Sequence, residues 1–526
     1  MSSRCRAALF LGVAALFADP ALAQLIDRTQ APNTAGEGIQ KSLVDEIGAG
    51  RGDVLTPDSS AFIIARDPFR AVKRGRQLFQ RKFSRAQGVG PIVGDGAGDI
   101  DNILAIGAGL SDSCAGCHGR PRGSAGFGGD VVTRPDSRDA PHLFGLGLKE
   151  MLADEITSDL RAIRAQAVAE AKATGQPVTL PLASKLITYG SIKALPDGSV
   201  DTTQVQGVNA DLRVRPFFFH GGTISIREFV AGALQNEMGM QAVDPELDAA
   251  AHNQAHIVTP AGMVLDGALD QIEGPPTADP NADLDGDGVS NEAPTAVVDY
   301  LEFYLLNYFK PATYQQDETT AHGARVLKDI QCVGCHKARL PIAHDRRVAD
   351  VETAYDHENG IFNNLFATAA TLIDVIDDGS GFPPLKLPKE GSFMVRNIFS
   401  DLKRHDVGPG FYERNYNGSL QKDFLTTPLW GVGSTAPYGH DGRSMNLTEV
   451  ILRHGGEATA SRDAFAALGQ GNRTALLSFL NSLVLFPPDD TASNLDAGNP
   501  NAENFPQFGH GSIKLGALFN DPSDKE

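Results

Sequence analysis

Ser113-Cys114-Ala115-Gly116-Cys117-His118-Gly119 returns in the second half of the chain as Gln331-Cys332-Val333-Gly334-Cys335-His336-Lys337. Each copy is a C-x-x-C-H, the pattern in which two thioethers hold the vinyl groups of a c-type haem and the histidine binds its iron. Zinc sites and redox dithiols also use paired cysteines. Neither needs a histidine directly after the second cysteine, and both copies have one. The motifs therefore predict two covalently bound haems c, with His118 and His336 as proximal ligands. The chain has five cysteines, and the motifs use four of them. Only Cys5 is left over, so neither a disulfide nor a cysteine nucleophile is expected in the body of the chain.

Cys5 sits in a leader. Arg4 and Arg6 make a basic start, Ala7 to Phe17 an apolar run and Ala21-Leu22-Ala23 a small-x-small cleavage site. Together they read as a signal peptide over residues 1–23, which predicts a periplasmic or secreted protein. The remaining composition is that of a globular chain, 41% hydrophobic and 21% charged. A formal net charge of −19 argues against nucleic acid or an anionic membrane as partner. Outside the leader no apolar run approaches the roughly 20 residues of a membrane-spanning helix. A length of 526 residues implies more than one domain.

An internal duplication supplies the division. Val72, Gly75, Phe79 and Phe83 recur at three- and four-residue spacing ahead of the first motif, as on an amphipathic helix. Ala321 to Leu327, ahead of the second, resembles Lys73 to Phe79. The first copy carries a Gly- and Asp-rich insertion over residues 88–112, read as loop. Downstream, His220-Gly221-Gly222 leads into Ile226-Arg227-Glu228-Phe229, and His440-Asp441-Gly442 into Leu447-Thr448-Glu449-Val450. Two haem-binding units follow, residues 24–310 and 311–490, with an irregular tail over 491–526.

Further motifs resemble a known family. Ser400-Asp401-Leu402, His405-Asp406-Val407-Gly408-Pro409, Thr427-Pro428-Leu429-Trp430-Gly431, His440-Asp441-Gly442-Arg443 and His454-Gly455-Gly456-Glu457 look like those of the di-haem oxidoreductases, in the same order. Gly145-Leu146-Gly147-Leu148 and the segment from Arg227 to Gly239 fit the same family. That family is similar to bacterial di-haem cytochrome c peroxidases, MauG enzymes and RoxA-type rubber oxygenases. The resemblance implies an all-α fold of two cytochrome c-like domains in tandem, joined by long loops. It also implies a distal ligand to the second haem fourteen residues after the His-Asp-Gly histidine. Fourteen after His440 is His454, where the peroxidases have Met and MauG has Tyr. A bis-His iron is expected to be low-spin, closed, and lower in potential than a Met/His one.

Aligning Glu228 with Glu449 sets Ala233 opposite His454, and alanine cannot bind iron. Either the first iron is open for chemistry, or another residue such as His142 or His220 fills its sixth position. Glu237, one turn past Ala233, is the candidate to move a proton at an open site; the alternative is a solvated helix carboxylate. Trp430, the single tryptophan, reads as core packing rather than an electron relay. Asp283, Asp285, Asp287 and Asn291, within the acidic loop 279–292, have the spacing of a calcium loop, with Pro294 where an EF-hand has its last ligand. A solvated acidic loop is the alternative. His405 has a structural or haem-propionate role by default. Two functions remain: a haem oxidoreductase acting on peroxide or dioxygen, and an electron-carrying di-haem cytochrome. Either needs an external electron donor or acceptor such as a small cytochrome or a cupredoxin.

Overall fold

Pro68 opens the first long helix at the one position where its missing N–H costs nothing. This helix, α1 (Pro68–Gln80), buries Val72, Gly75, Leu78 and Phe79, and Phe83 follows beyond its end, fully buried. The computed structural model describes residues 42–83, 113–118, 139–286, 288–308, 312–313, 316–355, 365–415, 417–484 and 512–514, all within one unit, Lys41–Asp521. The leader, the 88–112 insertion, Asp287 and all of the tail but 512–514 lie outside the described residues.

The first haem motif is a single turn, α2 (Cys114–His118). The 29-residue α3 (Leu146–Thr174) ends on Gly175 in the left-handed conformation, the usual glycine C-terminus. An antiparallel hairpin follows, β1 (Val178–Ser184) with β2 (Ile187–Ala194), extended by β3 (Val200–Asp201). Next comes α4 (Ile226–Met238), then α5 (Thr295–Leu306), whose every residue is buried, its Asp299 and Glu302 paired with Arg227 of α4.

In the second half α6 (Glu318–Asp329) starts at a reciprocal cap between Asp317 and Thr320 and leads into the second haem motif, whose Cys332–Gly334 forms a 3-10 turn. Small antiparallel pairs come next: β4 (Arg339–Ile342) with β7 (Phe393–Arg396), β5 (Ala349–Tyr355) with β6 (Leu365–Thr371), and β8 (Arg404–Asp406) with β9 (Asp423–Leu425). The half closes with α7 (Leu447–Arg453) and α8 (Gln470–Asn481).

The two halves share one helix crossing. α1 crosses α5 at Gly75, where a Cβ would stand 2.2 Å from the Tyr300 carbonyl oxygen. α6 crosses α8 at Gly323, where it would stand 2.0 Å from that of Ala475. Only glycine lets backbones approach so closely, which explains why the two segments ahead of the haem motifs look alike.

The all-α expectation is corrected: the fold is mixed, 38% helix and 17% strand, with several small sheets. Strands β1 to β9 fall in the stretch that follows each haem motif, ahead of α4 in the first half and of α7 in the second, where the duplication gives no guide. Their own signal was local, as in β2, whose Ile187, Tyr189, Ile192 and Ala194 are buried while Thr188 and Lys193 face solvent. These strands also build a core of their own. Besides one cluster around α1, α4 and α5 and another around α6 and α8, a third joins α3 and the β1–β2 hairpin to Leu340, Val395, Leu402 and Trp430 from the second half.

Candidate functional site

Both C-x-x-C-H motifs line one cavity of about 1000 Å³. The histidine of each is oriented in the same way. His118 Nδ1 donates to the Pro141 carbonyl at 2.7 Å, and His336 Nδ1 to the Phe399 carbonyl at 2.8 Å. A ring nitrogen that donates to a carbonyl carries the proton, so Nε2 keeps its lone pair, as a metal-ligating histidine needs. Burial keeps both rings neutral, lowering His118 and pushing His336 down to about 4, the latter helped by the charge of nearby His454. Paired cysteines, neutral imidazoles and an apolar cavity fit a covalently bound haem at each motif, with His118 and His336 as its iron ligands.

His454 meets the same test. It follows the last residue of α7, donates from Nδ1 to the Val450 carbonyl at 2.7 Å, and presents its ring edge-on to Phe411 at 5.2 Å. Burial lowers its pKa. Two motifs that are distant in sequence hold it there. The Gly455 amide donates to the Val407 carbonyl at 2.7 Å, and Gly408 packs on Gly455 so closely that a Cβ would lie 2.8 Å from its Cα. His405 joins the brace, with Nδ1 2.8 Å from Glu457 and Nε2 3.0 Å from Asp401. Burial alone would lower this ring, but hydrogen bonds to Asp401, Cys335 and Glu457 raise its pKa to about 11. It is an imidazolium clasped by two carboxylates, a role no spacing rule signals. Cys335, Asp401 and His405 offer atoms within 4.8 Å of one another, a geometry a metal could use. The haem motif claims the cysteine, and the carboxylates already hold the imidazolium.

The first half repeats the distal helix with a different residue at its key point. Ser225 caps α4 by accepting from the Glu228 amide, and Glu228 reaches back to accept from the Ile224 amide at 2.8 Å. Asn446 caps α7 by accepting from the Glu449 amide, and Glu449 accepts from the Met445 amide at 2.7 Å. Counted from these matching caps, Ala233 takes the place of His454. Ala233 and Glu237, one turn apart on the same helix face, both line the cavity. Phe217, Phe218 and Phe229 cluster nearby, Phe229 centred 6.0 and 5.4 Å from the other two, with His220 stacked on Phe218 at 6.2 Å.

His142 lines the same cavity; it directly follows Pro141, the acceptor for His118, and its Nε2 donates to the Trp430 carbonyl at 3.2 Å. Trp430, 4% exposed, packs in the third core and lies against Gly145, where a Cβ would meet its indole at 2.9 Å. Lys149 is a cavity residue the motifs did not single out; it faces the cavity from the first turn of α3. Its one signal was the pair Lys149-Glu150 set inside the otherwise apolar run Leu146 to Ala153.

In the acidic loop, Asp283 accepts from its own loop's amides, Gly286 at 2.9 Å and Gly288 at 3.0 Å. Buried Glu292 accepts from the Gln241 amide at 2.8 Å.

Residues 346–483 match the family described as "Di-haem oxidoreductase, putative peroxidase". That segment is similar to the di-haem oxidoreductases. It contains the His405, His440 and His454 motifs and begins ten residues after His336, so it adjoins the second cysteine pair; both pairs, Cys114/Cys117 and Cys332/Cys335, are consistent with haem c sites. No curated protein matches the chain. Among the described residues no helix is long and apolar enough to cross a membrane.

Proposed function

We propose that this is an exported di-haem c-type oxidoreductase that reduces peroxide, or activates dioxygen, at the haem of Cys114, Cys117 and His118, and exchanges electrons with an outside partner through the haem of Cys332, Cys335 and His336. One observation carries the reading: under matching helix caps, one half presents His454 to the cavity and the other Ala233. Haem supplies the redox chemistry once bound. The chain decides which iron substrate can reach. His454 would close one and hold it low-spin; Ala233 would leave the other accessible, beside the cluster of Phe217, Phe218 and Phe229.

Reducing hydrogen peroxide to two waters takes two electrons and two protons. Glu237, on the Ala233 face of α4, is placed to hold and deliver a proton. A small cytochrome or a cupredoxin would serve as electron donor. The loop of Asp283, Asp285, Asp287 and Asn291 is assigned to calcium as a subordinate proposal, supported by its alternating carboxylates. The test is the spin state of the oxidised holoprotein. Cyanide is expected to shift the spectrum of one haem only, and His454→Ala to turn the other high-spin. Two low-spin haems, neither binding cyanide when oxidised or half-reduced, would leave an electron carrier instead.

A further inference from the structure

Among the described residues the ammonium of Lys149 has neither a hydrogen-bond acceptor nor a carboxylate beside it. Its one contact is with the ring of Phe217, 5.6 Å from Nζ to the centroid. Burial, unopposed by any anion, pushes its pKa down to about 8. The other cations placed as deeply are treated differently. Arg227 is held by Asp244, Glu246, Asp299 and Glu302, and Arg346 by Glu150 and Asp154. A half-buried ammonium with no carboxylate beside it gains from an anion, and the side open to one is the cavity it faces.

Its place in the fold says which part of a haem it meets. α3 continues the segment that carries Pro141, the acceptor for His118, so its first turn starts on the proximal side. Phe217 packs against Phe229 of α4, on the Ala233 side. Lys149 therefore bridges the two sides, at the rim of a ring lying between them. His142, the titratable group whose pKa Lys149 lowers, is pushed to about 3, chiefly by burial, so it is neutral and brings no charge. The anions at the rim of a haem c are its propionates.

Building on the haem assignment above, we propose that Lys149 is the counter-ion of a propionate of the haem bound at Cys114, Cys117 and His118, and so a positioning residue that sets that haem's redox balance. A cation at the rim favours the reduced iron, and its removal favours the oxidised one.

The experiment uses holoprotein matured in a host that attaches c-type haem: wild type, Lys149→Met and Lys149→Arg. Pyridine haemochrome counting comes first, since fewer than two haems in the wild type would defeat the haem assignment rather than this proposal. Spectroelectrochemical titration then reads each haem, the first identified as the one absent from a Cys114→Ala, Cys117→Ala variant. In Lys149→Met the redox equilibrium of the first haem is expected to move tenfold or more toward the oxidised form, about 59 mV for a one-electron couple. The second haem should be unchanged, and Lys149→Arg should retain the wild-type value. An unchanged potential with azide binding weakened tenfold would assign Lys149 to an exogenous anion and overturn the proposal. No change in either measurement would overturn it too.

Discussion

Glu228 shows how one residue can serve a helix cap and also couple stability to pH. Its two oxygens accept from the Ile224 and Glu273 amides, at 2.8 and 2.9 Å, in a site 4% exposed. Burial raises its pKa to about 7 from 4.5, outweighing the two amides, which pull it down. The folded chain thus holds this proton more tightly than the unfolded one. The stabilisation is complete below about pH 4.5 and lost as pH rises to about 7, at up to about 1.4 kcal/mol per pH unit. Urea unfolding of wild type and Glu228→Gln at pH 5 and 7.5 should show the wild type losing stability relative to the variant by more than about 1 kcal/mol. An equal gap at both pH values would refute the assignment.

The haem units depend at the scale of elements on two helix crossings, α1 on α5 and α6 on α8, each passing through a glycine. A Cβ at Gly323 has no room beside the Ala475 backbone, and a backbone cannot turn aside as a side chain can. Gly323→Ala should cost about 2–3 kcal/mol, at the upper end of ordinary overpacking. Gly75→Ala should act similarly in the other half. Gly471→Ala, in α8 with nothing within 4 Å, should be neutral or stabilising. Denaturant midpoints of the three variants decide it; a Gly323→Ala protein as stable as Gly471→Ala would mean that the crossing is looser than its geometry.

In the whole molecule the halves are bound through the loop that orients His118. The Asp139 amide donates to the His440 carbonyl at 2.7 Å, His142 to the Trp430 carbonyl at 3.2 Å, and Gly145 lies under the Trp430 indole. The third core adds β4, β7 and Trp430 to the packing of α3. The candidate ligands and brace of the second haem site, His336, His454, Asp401, His405 and Glu457, all lie within residues 332–457. Cys114→Ala with Cys117→Ala should therefore leave one haem per chain by pyridine haemochrome, with a low-spin spectrum. Loss of both haems would mean that the halves mature as one.

The sequence by itself determined the two C-x-x-C-H motifs, the duplication and the asymmetry between Ala233 and His454. Each rests on short-range spacing: a thioether pair with its histidine spans five residues, and a helix cap sets the register of the residues after it. It could not supply the strands that follow each haem motif, the third core, the brace of His405 and Glu457 on His454, or the bond from His142 to the Trp430 carbonyl. Those depend on which distant segments meet. Asp401 and Glu457 become partners of one imidazole only when β8 is laid against the turn after α7. Lys149 looks like any other lysine until the fold half-buries it with no carboxylate beside it among the described residues, because what an ammonium requires is set by its neighbours in space.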